Sequence, residues 1–350
     1  MSTDQWFRKE HGMAASISDV ALRANVSIST VSRTINRPAL VNAQTRERVE
    51  AAIRELGYHP NAFARGLMLR KSEMIGLVLP DMHGEFYSGI IRGANLRAHE
   101  LGYSLVLSSA HDPLDTRGLV GSLRQRQFMD GIAIMVAEVT DHIEQALADL
   151  HLPLVLIDTD VPGTSHDSVV IDQRAGASAM MRHLINTCHA KRIFFVGGWE
   201  TNMDSIARFK AYQEILAETG TPFRNEDVHH LDYDYDTAYA FAIQHLPNWK
   251  GEKHCVFAAN DEMACGFIDA AHALQLRVPR DIAVVGFDDT RIARMTRPQL
   301  TTVRVPLAEM GATAIELVCQ RLDDPTLPKR HIALRPELVT RQSCGCPKAH

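Results

Sequence analysis

Aromatic residues are scarce, at 6% of a 350-residue chain. No apolar run approaches the ~18 uncharged residues that a membrane-spanning helix needs. The first residues, MSTDQWFRKEHGM, lack the apolar stretch of a secretory signal, so a cytoplasmic protein with no membrane partner is expected. Cysteine is sparse as well. The six are Cys188, Cys255, Cys265, Cys319, Cys344 and Cys346, mostly dispersed in apolar segments, which suits reduced thiols rather than a disulfide scaffold. Cys344-Gly345-Cys346 supplies only half of a tetrahedral zinc site, so the tail reads as inert and no metal or cofactor is assigned. GxGxxG, GxxxxGK(S/T), HExxH, CxxC and GxSxG are all missing, and no enzyme is expected. Excess charge is lacking too. With 37 basic and 42 acidic residues the net is −5, which taken whole speaks against a nucleic-acid partner.

What is present reverses that last inference. Residues 1–75 carry eleven basic and seven acidic residues, a net of +4, and the remainder carries −9. Phosphate attraction acts over about a Debye length, so the local figure is the relevant one. The basic segment is patterned as short helices. Ser16-Ile17-Ser18-Asp19 has capping-box spacing, followed by Val20, Ala21 and Ala24 as an apolar stripe. Asn25-Val26-Ser27 breaks the pattern, and Ser27 can cap a second helix over 28–36 with Val31 and Ile35 facing inward. A third helix runs from an Asn42 cap through Val49, Ile53 and Leu56 to Gly57. This spacing fits a helix-turn-helix, and it fits a generic three-helix bundle equally well.

The residues themselves separate the two. ISDVALRANVSISTVSRTIN followed by TRERVEAAIRELGYHPNAFARGL, with its DVA, VSxxTVSR and ELGYxPNAxAR motifs, resembles the DNA-binding head of the lactose-repressor (LacI/GalR) family across residues 16–72. In the body, GLVLPDMHGEFYSGIIRGA, PLVLIDTD, AANDEMACGFIDAAHALQLRVPRDIAVVGFDDT and PQLTTVRVP resemble that family's effector-binding core, so the likeness spans about residues 16–345. The resemblance implies a partner, double-stranded operator DNA. It places Ile28 and Ser29 where members vary to choose bases, and Thr30, Ser32 and Arg33 on backbone- and base-contacting positions. Arg reads guanine bidentately, whereas Ile28 offers only apolar contact. Asn61, Arg65 and Leu67 fall on the family's hinge helix, Leu67 aligning with a leucine that wedges into the minor groove. Gly66 is a poor helix former, so a hinge that folds only on DNA is expected.

From Met74 onward, apolar runs alternate with amphipathic helices: MIGLVLP, YSLVLSSA, GIAIMV, PLVLIDTD, SVVID, RIFFVGG, HCVFAAN and IAVVGFDD. Such alternation predicts parallel sheets with helices on both faces. The fold class is therefore an all-α helix-turn-helix head plus an α/β two-lobed core of the periplasmic-binding-protein type, the last part implied by the resemblance. The expected divisions are a flexible extension at 1–14, the head at 15–60, a hinge at 61–73 and the core at 74–345. Within the core, one subdomain takes about 74–170 and 304–334, the other about 171–303 and 335–345.

Ligands of open α/β sheets bind beyond the carboxyl ends of strands. Asp81, Asp158, Asn260 and Asp288 each follow an apolar run and should surround one cleft. Phe86 and Tyr87 open the helix after the first run, and Tyr233 lies in the loop DYDYD. Asp158, Arg208, Asn260 and Asp288 match effector-binding positions of the family. Strand-end carboxylates can equally be plain helix caps. Hydroxyl-accepting carboxylates, a multiple donor and stacking aromatics suit a sugar or sugar derivative, with a nucleobase as the alternative. Asp204, in a loop that in purine-responsive members suits an anionic or purine ligand, opposes an anionic one. The expected function is an effector-controlled repressor, acting as a homodimer on a pseudo-palindromic operator, and the lack of a clear heptad repeat after Arg341 favours a dimer over a tetramer. The alternatives are a transport solute-binding protein or a carbohydrate-acting enzyme on the same core.

Overall fold

A computed structural model describes residues 15–58, 71–82, 84–109, 129–136, 141–150, 152–159, 166–250 and 254–346. The N-terminal extension and the hinge positions Asn61, Arg65 and Leu67 lie outside them. The chain divides into two compact units, 1–72 and 73–350.

The first unit holds α1 (Ile17–Ala24), α2 (Ile28–Asn36) and α3 (Ala43–Leu56). Each begins on a side-chain cap. Ser16 Oγ accepts from Asp19 N, and the Asp19 carboxylate accepts from Ser16 N at 2.8 Å, closing a capping box. Ser27 Oγ accepts from Thr30 N, and Asn42 Oδ1 accepts from Thr45 N at 2.8 Å. Such caps satisfy N–H groups that have no intrahelical partner and contribute about 1 kcal/mol each. Asn25 and Gly57 end α1 and α3 in the left-handed conformation. Val20, Ala21, Ala24, Val31, Val49 and Ala52 form the core. Ile35 is only half-buried. It packs against that core, and Thr34, three residues after Val31, is buried as well, with its hydroxyl donating to Thr30 O at 2.9 Å.

The second unit runs β1 (Met74–Leu79), α4 (Gly84–Glu100), β2 (Ser104–Ser109), β3 (Gly131–Ile134), α5 (Asp141–Ala148), β4 (Leu154–Ile157) and β5 (Asp167–Ile171). It continues with α6 (Gln173–Arg182), which ends in a π turn over His183–Thr187, then β6 (Arg192–Gly197), α7 (Met203–Thr219), β7 (Val228–His230) and α8 (Tyr235–Trp249). Last come β8 (His254–Ala258), α9 (Asp261–Ala273), β9 (Ala283–Val285), α10 (Ile292–Met295), β10 (Thr302–Arg304), α11 (Leu307–Asp323), β11 (His331–Leu334) and β12 (Glu337–Val339).

Two parallel sheets define two lobes. One has six strands in the order β11-β5-β4-β3-β1-β2, and the other has four in the order β7-β6-β8-β9. Parallel pairing requires long crossovers, which the helices supply, and both sheet faces are then covered. Accordingly β3, β4 and β8 are apolar and buried nearly end to end. The eight apolar runs read in the sequence are strands. β7, β10, β11 and β12 are additional ones, three or four residues long and so too short for a periodic signal.

The chain leaves the six-stranded sheet after Ile171, returns with α11 and β11, and leaves again before β12. β10 and β12 pair antiparallel, Val303 opposite Leu338, as a separate two-stranded ladder. Among the described residues, no helix is long and apolar enough to cross a membrane.

Candidate functional site

Strand ends build the cleft. β1 runs into Asp81, β4 into Asp158 and Thr159, β6 into Gly198 and Trp199, β8 into Asn260, and β9 through Phe287 into Asp288. With the starts of α4 and α7 and the loop before α8, they enclose a cavity of about 260 Å³. Strand order reverses between β1 and β3 and between β6 and β8, and such switch points are where open α/β sheets leave a crevice. Asp81, Phe86, Tyr87, Asp158, Arg208, Tyr233, Asn260 and Asp288 all stand on its wall.

Arg208 is the electrostatic centre. It sits on the second turn of α7, whose N-cap Asn202 accepts from Ser205 N at 2.9 Å. The side chain is 3% exposed. Its Nε donates to Gln173 Oε1 at 3.0 Å and its Nη1 to Ala259 O at 2.5 Å, and the guanidinium lies 4.0 Å over the Phe287 ring. Seven carboxylates (Asp81, Asp158, Asp204, Asp232, Asp234, Glu262 and Asp288) share the described lining with that single cation. Burial pushes Asp158 and Asp288 well above the usual carboxylate range, and the neighbouring Asp204 adds to both shifts. Asp204 is also raised by burial, opposed by Arg208. Asp158 and Asp204 titrate as a pair, both held above the usual carboxylate range chiefly by burial.

The backbone here is strained. Asp158 (φ 48°), Tyr233 (φ 64°) and Asp288 (φ 115°) are non-glycine residues with positive φ, a state costing about 1–3 kcal/mol each unless the surroundings impose it. Ile171 N donates to Asp158 Oδ1 at 3.1 Å, Asn260 Nδ2 donates to Tyr233 O at 3.0 Å, and Asp288 N donates to Val303 O at 2.7 Å. The Tyr233 ring lies so close to Gly198 that any Cβ there would overlap it, which explains the glycine after β6. Asp288 Oδ1 is buried and has no hydrogen-bond partner among the described residues.

Two asparagines serve as caps as well as lining. Asn260 Oδ1 accepts from Met263 N at 2.9 Å, and Asn202 Oδ1 accepts from the Tyr233 hydroxyl at 2.9 Å as well as capping α7. Trp199, edge-on to Tyr233 at 5.8 Å, Thr159 and Glu262 complete the wall and were not picked out from the sequence. A tryptophan directly after the Gly-Gly end of β6 is the signal that pointed to the first of them.

On the head, Ile28, Ser29 and Arg33 are exposed along α2, Ile28 at 50%. Thr30 and Ser32 are half-buried, and the Thr30 hydroxyl lies 2.8 Å from Ser27 Oγ within the cap. The sequence expectation of unpaired thiols fails at one pair. Cys188 and Cys346, 158 residues apart, are joined as a disulfide, brought together by a fold that local spacing does not reveal. Cys255, Cys265, Cys319 and Cys344 are not disulfide-bonded.

A helical head and a two-lobed body with a polar cleft define a sensor joined to a helix-turn-helix reader. Residues 16–61 match the bacterial regulatory proteins of the lacI family, and residues 181–344 match a periplasmic binding protein-like domain. Catabolite control protein A of Priestia megaterium is 33% identical over 332 residues, covering 95% of this chain and 99% of that protein. The transcriptional regulator CelR, solved as its cellobiose complex, is 29% identical with a TM-score of 0.70, covering 94% of this chain and 99% of that one. The lac repressor dimer, solved with operator and the anti-inducer ONPF, is 26% identical with a TM-score of 0.82, covering 95% and 99%. The chain belongs to the LacI family of effector-controlled, DNA-binding transcriptional regulators, and its relatives are regulators rather than enzymes.

Proposed function

We propose that the protein is a cytoplasmic, homodimeric repressor that binds a pseudo-palindromic operator and is controlled by a neutral, hydroxyl-rich effector, a sugar or sugar derivative, held in the cleft. The observation that carries the effector class is the ratio of seven carboxylates to one guanidinium in the described lining, with Asp288 Oδ1 buried and without a partner among the described residues. Such a wall accepts hydrogen bonds from hydroxyls and repels carboxylate or phosphate. Trp199, Tyr233, Phe86 and Tyr87 supply the flat apolar faces on which a sugar ring stacks. The sugar complex of CelR and the dimeric lac repressor support the reading in related chains.

At the operator, Ile28, Ser29 and Arg33 meet base edges. Thr30 and Ser32 support them at the backbone, and Asn61, Arg65 and Leu67 act in the hinge. A dimer matches a two-fold site. Effector binding shifts the body between two states that differ in the operator affinity they permit, by no more than the effector's own preference for one state. The test is a thermal-shift screen of neutral sugars, sugar acids and nucleobases, followed by operator binding with and without the hit. A neutral sugar that raises Tm and changes operator affinity is expected, and a nucleobase or sugar acid as the sole hit overturns the effector class.

A further inference from the structure

We propose that His183, Cys188, Cys344 and Cys346 form a tetrahedral zinc site that fastens the C-terminal tail to the end of α6. Their four ligand atoms all lie within 4.8 Å of one another. A zinc with Zn–S near 2.3 Å and Zn–N near 2.0–2.1 Å holds its donors about 3.5–3.8 Å apart, so small side-chain movements complete the site. Three thiolates and one imidazole are a structural zinc set, and soft sulfur donors disfavour magnesium or calcium.

The local backbone prepares both halves. On a regular helix of 3.6 residues per turn, positions five apart face different sides. Here the helix ends in a π turn, Cys188 N donating to His183 O at 3.0 Å, and this sets Cys188 Sγ 3.3 Å from His183 Nε2. Single π turns occur frequently at functional positions. On the tail, Ser343 O accepts from Val284 N at 3.1 Å and Ser343 Oγ accepts from Thr301 N at 2.8 Å. Gly345 then turns the chain at φ 74° and brings Cys344 and Cys346 to the same point.

The Cys188–Cys346 disulfide uses two of the four donors and leaves the convergence of Cys344 and His183 on them unexplained. A DNA-binding regulator works where thiols are kept reduced, and there the same sulfurs are available as thiolates. The tail follows β12, which pairs with β10, so the metal anchors the last segment that crosses between the lobes.

The test uses the full chain, reduced with a phosphine, desalted, and given zinc alone or cobalt(II) alone. One zinc per chain is expected, with a zinc-dependent rise in Tm and, for cobalt, the thiolate charge-transfer and tetrahedral visible bands. Cys344→Ser is the discriminating variant, because Cys344 lies outside the disulfide. It should lose stoichiometric zinc and the cobalt bands while still forming the Cys188–Cys346 bond on oxidation, and Cys265→Ser should keep full metal binding. A reduced wild-type chain that holds no zinc, or a Cys344→Ser variant that binds it undiminished, overturns the proposal and leaves the disulfide as the cluster's use.

Discussion

Replacing Arg208 by methionine removes the only cation from the described cleft lining while keeping a chain of similar length. At pH 8 the variant loses the bonds to Gln173 and Ala259 and leaves Asp158, Asp204 and Asp288 facing one another uncompensated. Breaking one side of a buried charge cluster costs about 3–5 kcal/mol. At lower pH more of the raised carboxyls carry protons, the repulsion weakens, and the lost hydrogen bonds, about 1–3 kcal/mol, make up more of the cost.

The sign follows from proton counts. Above about pH 4 the unfolded carboxylates have released protons that the folded cleft still holds, so stability falls as pH rises from there through the folded values. Removing Arg208, which lowers Asp288 and Asp158, raises those values and steepens the fall. Urea unfolding followed by circular dichroism at pH 5 and pH 8 measures it. The exposed Arg182–Glu218 pair provides a control, since Arg182→Met should produce no pH-dependent difference. Equal destabilisation of Arg208→Met at the two pH values would refute the assignment of Arg208 as the neutralising charge.

Asp261 is fully buried, accepting from Thr290 N at 2.8 Å and from the Thr302 hydroxyl at 2.6 Å, and its pKa is pushed up to about 7 by burial. It therefore removes stability between about pH 4 and pH 7 as pH rises, at up to about 1.4 kcal/mol per unit, and Asp261→Asn should flatten that slope in urea midpoints. Arg33→Ala should weaken operator binding by about 1–3 kcal/mol in a mobility-shift titration, and unchanged affinity would count against base contact. Gly198→Ala should drive the Tyr233 ring from its place, lowering effector affinity far more than operator affinity, as read by calorimetry and mobility shift.

Legibility in the sequence tracked how local the cause was. The Ser16–Asp19 box and the Ser27 and Asn42 caps are four-residue devices, and their hydrogen bonds are in the structure. Strands announce themselves when buried on both faces, as β1 and β4 are, and the polar residue that ends such a run marks the cleft. Three-residue β7 and β10 carry no such run. Ile35 packs against the head's core as its i,i+4 spacing from Val31 suggests, but that spacing does not reveal that Thr34 is covered as well. The raised pKa of Asp158 owes part of its shift to Asp204, which approaches from another element, and Cys188 meets Cys346 across 158 residues of chain. Neither fact is written in any window of neighbours.

The edge of the six-stranded sheet also has a history in time. β11 pairs with β5, His331 standing beside Ser168 across 163 residues of chain. During synthesis, which proceeds from the N-terminus, the head with its own small core emerges complete while its controller still lacks an edge strand. A message interrupted before β11 therefore yields a finished reader attached to an unfinished sensor. Effector control therefore waits on a strand made late in the chain, whereas the fold of the head does not.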